Sequence, residues 1–383
     1  MATQTDAAGA VRRDATFDIL KGIGIGEVMV HHLLAHSARK FAVAGSVEWW
    51  ALAVTNRVLH FAVPTFLLAS ALLLARSVAR QARPDWKRFG VRRVLRTLWP
   101  YLLWSVVYVV FRIAVVKIGD DVEPKQFVAG RTLPALLVDG PGLIEDLFWG
   151  KAYYHLYFLV VLLQSSLLFP LLFFFLRRVR LSFGGVLLLA LGAQGVVFFL
   201  QATLVRAPYP ASTVFWYLPP VLVGVWLGLN GDAWPAVWRA WRVPFAVATL
   251  GGLGVYLFLS VVSLGGGRIA SLPFNAAVNI YTSGAALLLL ALAGRLARRA
   301  GWAARRLARV GDWSLPLFLI HPLVLHLLSG PTIGRVWNAL PFSQVWVGAA
   351  MLGVTWGLTT LAWRLRADRL LFGRSLAPGG GGA

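Results

Sequence analysis

The sequence predicts an all-α, polytopic membrane protein of about ten transmembrane helices, with both termini on the cytoplasmic side. Three observations carry this. Of the 383 residues, 58% are hydrophobic and only 14% are charged, far from the balance of a soluble domain. Apolar runs recur along the whole chain, each long enough to cross a hydrocarbon core of ~30 Å as a helix. Lys and Arg fall in alternate connections between those runs, as the positive-inside bias requires. The net charge of +22 does not indicate nucleic acid as a partner, because it is confined to short segments between apolar stretches. The partners implied are membrane lipids. Seventeen tryptophans suit interfacial anchoring and the chain has no cysteine, which excludes disulfides, thiolate metal sites and a cysteine acyl-enzyme.

Residues 1–17 read as a polar cytoplasmic tail, residues 18–366 as the transmembrane domain, and residues 367–383 as a flexible cytoplasmic tail ending in PGGGGA. The run after residue 17 is charged and lacks a small-residue cleavage site, so the first span is expected to be retained. Spans are expected at about 19–36, 56–75, 97–116, 154–176, 183–205, 214–230, 243–263, 274–294, 313–329 and 344–363. Arg76 to Arg96 holds eight Lys or Arg against one acid, Asp85. Further basic groups lie at Arg177/Arg178/Arg180, Arg239/Arg242, Arg295–Arg309 and Arg364–Arg374. The long polar loop from about Lys117 to Lys151 carries Asp120, Asp121, Glu123, Asp139, Glu145 and Asp146. It is expected outside.

The stretch Asp18 to His36, which contains the first span, is where the chemistry concentrates. It contains Lys21, Glu27, His31 and His32, and ionisable residues within a span are costly enough to mark a functional site. On a helix, Lys21 and His32 share a face within about 20° and stand roughly 16 Å apart along the axis. An imidazole in a dry site suits a general base that takes a proton from a hydroxyl. Lys21, beside Asp18, is either an inner-surface anchor or a cation near a phosphorylated donor. Glu27 lies between them in height, on another face, with no partner visible in the sequence. His31 and His36 read as packing positions. Gly22 and Gly26 form a small-xxx-small pair that permits close approach.

Beyond the first span, Arg92, Arg93 and Arg96 sit at the mouth of the third. They read either as anionic-lipid contacts or as a phosphate clamp, Arg92 and Arg96 facing together at i,i+4. His155 and Tyr157, at the start of the fourth span, belong either to an aromatic belt or to an acceptor site. His321 lies mid-span, hydrogen-bonded to a neighbouring helix or facing an acceptor.

Five stretches, in order, resemble those of the integral membrane acyltransferase family 3. Its first-span pattern of a basic residue, ten residues and His is met by Lys21 and His32. Lys in place of the commoner Arg resembles a fucose 4-O-acetylase-like branch. The VPxFFxxSG segment corresponds to Val63–Ser70, with Ala71 where Gly is usual. RRxxRxxxP corresponds to Arg92, Arg93, Arg96 and Pro100, HLWFL to His155–Leu159, and SLxLFLIH to Ser314–His321. Glu27 is an addition to the pattern.

The resemblance spans about Phe17 to Trp363. It implies a ten-helix O-acyltransferase of the cell (inner or plasma) membrane, moving an acyl group, commonly acetyl, from cytoplasmic acyl-CoA to a hydroxyl of a glycan or lipid-linked sugar. No bound cofactor or metal is implied; acetyl-CoA is a co-substrate. Under it, His32, Lys21 and Glu27 are the candidate catalytic residues. Arg92, Arg93 and Arg96 are candidates for donor binding, and His155, Tyr157, His321 and Ser70 for acceptor binding. His32 serves as base or as transient acyl carrier. The rival reading is a glycan or lipid transporter, with the buried His and Glu coupled to protons; the matched repeats common in transporters are not evident.

Overall fold

A computed structural model describes residues 14–117 and 140–376. Among the described residues every regular element is helical. Asp120, Asp121, Glu123 and Asp139 of the expected outer loop lie outside them, as do residues 1–13 and 377–383.

Helix α1 runs Ala15–Lys40, longer at both ends than its apolar run. It starts early because Asp14 is an N-cap: its carboxylate accepts from the Thr16 N–H at 3.0 Å, satisfying one orphan donor of the first turn. The end of the tail expected at 1–17 is therefore structured. The next expected span is two helices, α2 (Val47–Val58) and α3 (Ala62–Ala79), separated at Leu59–Phe61. Pro64 lies in the first turn of α3, where its missing N–H costs nothing, but it cannot continue α2 through His60. The His60 Nδ1 instead bonds the Asn56 and Arg57 carbonyls at 2.9 and 3.1 Å, closing the free end of α2.

The basic stretch forms α4 (Trp86–Arg93), a π-helical turn (Val94–Leu98) and then α5 (Trp99–Lys117). Pro100 lacks the N–H that would continue the ladder, and a widened turn before it follows. In the expected outer loop, Gly140–Trp149 is a helix, α6, held by the Tyr101 hydroxyl on the Leu147 carbonyl.

The remaining helices are α7 (Tyr157–Val179), α8 (Phe183–Leu200), α9 (Leu218–Leu229), α10 (Trp234–Leu264), α11 (Ser271–Arg299), α12 (Trp302–Asp312), α13 (Ser314–Leu328), α14 (Pro331–Asn338), α15 (Ser343–Arg364) and α16 (Asp368–Phe372). The last lies in the tail expected to be flexible and is packed, not loose: Phe372 is fully buried.

Seven helical stretches among the described residues are long and apolar enough to cross a membrane. The other three of the ten expected spans also fall on helices. α1 carries too many ionisable groups to pass on composition. α9 is short and buried over Leu218–Gly228. α12 and α13 are long and apolar enough only together, and they meet at an angle of 74°. An all-α, multi-pass membrane protein results.

α1 lies at the centre, against α2, α3, α11, α12, α13 and α15. Its crossing with α12 is set by glycine: a Cβ on Gly22 would stand 2.9 Å from the Leu307 carbonyl carbon, and one on Gly311 2.7 Å from that of Asp18. Gly26, the other half of the expected small-residue pair, has open space above it. α9 meets α3 the same way, Gly224 against Leu68 and Gly228 against Leu72. One end of the bundle gathers arginine: Arg76 pairs with Asp14 at 3.6 Å, and the Arg374 guanidinium donates to the Asp312 carbonyl.

Candidate active site

Residues three and four apart share a helix face, so α1 presents two adjoining stripes, Glu27/His31 and Val28/His32. Both open on one cavity of about 80 Å³. Its other walls come from the α2–α3 break (Leu59, His60, Val63), the start of α7 (His155, Tyr157, Phe158) and Phe318 of α13. Four sequence-expected residues, Glu27 and His32 of α1 and His155 and Tyr157 at the start of α7, thus meet in one place.

His32 is the best-defined group. Its Nδ1 lies 2.8 Å from Nε2 of His321. The rings are within 12° of parallel with centroids 5.1 Å apart, which is two imidazoles meeting edge to edge, as an in-plane N–H···N bond requires. The second nitrogen of His321, Nδ1, donates to the Leu317 carbonyl at 2.8 Å. Nε2 of His321 therefore accepts and Nδ1 of His32 donates, an assignment made from the network. That leaves Nε2 of His32, a residue of the cavity wall, with its lone pair uncommitted. Tyr154 packs its ring edge-on to His32 at 4.8 Å. His321 is fully buried on α13 behind His32 and does not line the cavity. Of the two expectations for it, the hydrogen bond to a neighbouring helix is present, made to His32 of α1.

His155 is 1% exposed, and neither ring nitrogen has a hydrogen-bond partner. Its surroundings are rings: Tyr108 and Phe318, both at 4.9 Å between centroids. One oxygen of Glu27, Oε2, is likewise buried without a partner. Buried polar atoms are almost always satisfied, so unpaired groups on a cavity wall point to a ligand with hydrogen bonds to give.

His31 was legible only as a packing residue. It bonds Asn56 through Nδ1 at 3.1 Å, while the Asn56 amide donates to the His31 carbonyl at 2.7 Å. His60, in a T-shaped contact with His31 at 4.6 Å, also lines the cavity. His60 and Tyr154 were missed in the sequence. The only signals were that His60 lies three residues before the Val63–Ser70 segment and Tyr154 directly precedes His155.

Other expected residues lie elsewhere. Lys21 pairs with Asp18 at 2.8 Å near the arginine-rich end, away from the cavity. Ser70 is two turns further along α3 than Val63 and does not line it. Arg92 and Arg96 line a second, larger depression of about 560 Å³ with Lys87, Arg88, Leu95 and Gly373. Arg93 does not. Its guanidinium lies over the Phe89 ring, 5.6 Å from the centroid. Among the described residues no cluster of His, Asp or Glu could hold a metal.

Two sites thus stand apart in one bundle, a basic groove and a buried imidazole cavity. The model of the acyltransferase 3 family, described as an acyltransferase domain, matches residues 14–363. The chain belongs to acyltransferase family 3. No curated protein and no solved structure matches it. The protein is an acyltransferase built into a membrane, and the transporter reading gives way. A membrane acyltransferase of this kind needs a group to take a proton as the nucleophile attacks. In this acyltransferase the His32–His321 pair has the arrangement of a base oriented by a second group, on helices α1 and α13 that the bundle holds rigid.

Proposed function

We propose that the protein transfers a short acyl group, acetyl in the first instance, from acyl-CoA to a hydroxyl of a glycan or lipid-linked sugar. One observation carries this: His32 lines a cavity while its Nδ1 is held by His321, which leaves its Nε2 lone pair uncommitted. A lone pair fixed in direction by a partner behind the ring is what general-base catalysis uses. Nε2 takes the acceptor's proton as its oxygen attacks the thioester carbon. The C–O bond forms, the C–S bond breaks, and the proton passes to the departing CoA thiolate. With no cysteine in the chain, an acyl-cysteine intermediate is excluded.

The donor's phosphates are assigned to Arg92 and Arg96 in the basic groove, where two guanidinium forks can each bind bidentately. Arg93 serves packing on Phe89. Lys21 adds positive charge at the same end. The thioester arm reaches into the bundle toward His32. His155, Tyr157 and Glu27, with His31 and His60, supply hydrogen bonds to the hydroxyls of the acceptor; a sugar has several to match. The Lys/Arg distribution supports a cytoplasmic position for the basic groove, on the side where acyl-CoA is found, with the cavity on the acceptor's side.

The test uses membranes with and without the protein, incubated with acetyl-labelled acetyl-CoA. The expected result is label in envelope glycan or lipid, released by mild alkali as an ester is. Turnover of acetyl-CoA with no label retained in any hydroxyl-bearing acceptor would contradict the reading.

A further inference from the structure

We propose that the C-terminal segment 368–376 is a wall of the basic groove, and that its Gly373 fixes where Arg92 and Arg96 stand to receive the phosphates of acyl-CoA. This rests on the donor reading above. It adds a positioning element from a part of the chain that, by composition, looks like a tail.

All the groove's lining except one residue comes from 85–96; the exception is Gly373. Gly373 follows α16 with φ +63°, a conformation that glycine adopts without strain. It lies directly on the π-helical turn. A Cβ there would overlap the Leu95 carbonyl oxygen and stand 3.2 Å from Cγ of Pro100. The Trp99 N–H bonds back to Val94 across the widened turn. In that register the Leu95 carbonyl would look to residue 100, and Pro100 has no N–H to give. The backbone of Gly373 covers this freed carbonyl, between the two arginines of the clamp.

The segment is held in place from both sides. The indole N–H groups of Trp99 and Trp104 donate to the carbonyls of Leu370 and Leu371 at 2.7 and 2.9 Å. Trp104 lies nearly parallel to Phe372, at 15°. Asp368 accepts from the Leu376 N–H at 2.6 Å, turning the chain back, and Arg374 bonds the Asp312 carbonyl on α12. A five-residue helix has no stability of its own, so these contacts are what place Gly373. They tie the π-turn to α5 and α12 and hold the two guanidinium groups at a set spacing, and preorganisation of this kind raises affinity by lowering the ordering cost of binding.

The experiment measures CoA binding by calorimetry to the purified full-length protein in detergent micelles, alongside thermal unfolding. Arg92→Ala tests the donor reading itself and is expected to weaken CoA binding about tenfold. Gly373→Ala, which forces the π-turn to move, is expected to weaken it by a similar factor, about tenfold. Trp104→Phe keeps the ring but removes the indole N–H, and is expected to weaken binding about threefold or more without changing the stoichiometry. It serves if Gly373→Ala does not fold. A merely structural role would lower the unfolding midpoint and the bound fraction, and leave the Kd of the folded protein unchanged. The proposal is overturned if Arg92→Ala weakens binding while Gly373→Ala and Trp104→Phe stay within about twofold of the parent. If Arg92→Ala also binds like the parent, the groove is not the donor site, and the donor reading falls together with this inference.

Discussion

Replacing His321 by Ala tests whether the edge-to-edge imidazole pair serves the chemistry. His321 does not line the cavity and touches neither substrate under this account; it acts only through His32. The substitution removes the 2.8 Å N–H···N bond and leaves the His32 Nδ1–H without its acceptor in a dry setting. An unsatisfied buried donor costs about 1–3 kcal/mol, and the ring lowers that cost by turning away or by changing tautomer. Either change removes the lone pair from the cavity. Expressed in the transition state, the same energy is a drop in kcat of roughly 5- to 150-fold. KM for acetyl-CoA is expected to stay constant, since the donor groove is formed by other elements. His321→Gln places an amide oxygen near the lost Nε2 and is expected to recover part of the rate. The assay is initial-rate acylation in membranes at matched protein levels, with both substrates varied. An unchanged kcat in His321→Ala, or an equal loss in the Ala and Gln variants with normal expression, would refute the reasoning.

Other outcomes follow from the same geometry. Arg96→Ala is expected to raise KM for acetyl-CoA by about tenfold, more at low ionic strength, whereas Arg93→Ala leaves that KM unchanged and lowers thermal stability, because Arg93 packs on Phe89. His155→Phe removes two nitrogens that have no partner; the unfolding midpoint is expected to hold or rise while acylation falls, since an unsatisfied buried polar group costs about 1–3 kcal/mol. Gly311→Val sets a side chain against the backbone of Asp18 and Gly22, which cannot rotate away. A loss of about 3 kcal/mol or more is expected, read as a lower unfolding midpoint or as failure to extract folded protein.

The membrane architecture was legible because length and apolarity alone fix which segments can span. His32 was legible because a histidine amid Ile, Val, Met and Leu has no cheap explanation. Its partner was not, because residues 32 and 321 meet only when α1 and α13 cross, and no local pattern encodes that crossing. The α2–α3 break fell inside the span expected at about 56–75; Asn56, Arg57, His60 and Pro64 were its signs. Arg92, Arg93 and Arg96 looked like one clamp under α-helical spacing. The π-turn and the packing of Arg93 on Phe89 divide them. Residues 368–376 looked like a tail because they lie between the last apolar span and the terminal PGGGGA, and the contacts that dock them come from indoles in α5.

The measurement that bears most directly on the whole account is acetyl transfer by the His32→Ala variant. Membranes holding equal amounts of folded parent and variant are supplied with acetyl-labelled acetyl-CoA, and alkali-labile label is counted in the acceptor fraction. The account predicts loss of at least about a hundredfold in rate with CoA binding retained. Transfer at the parent's rate would show that the reacting oxygen is deprotonated elsewhere and that the cavity beneath α1 is not where the ester forms.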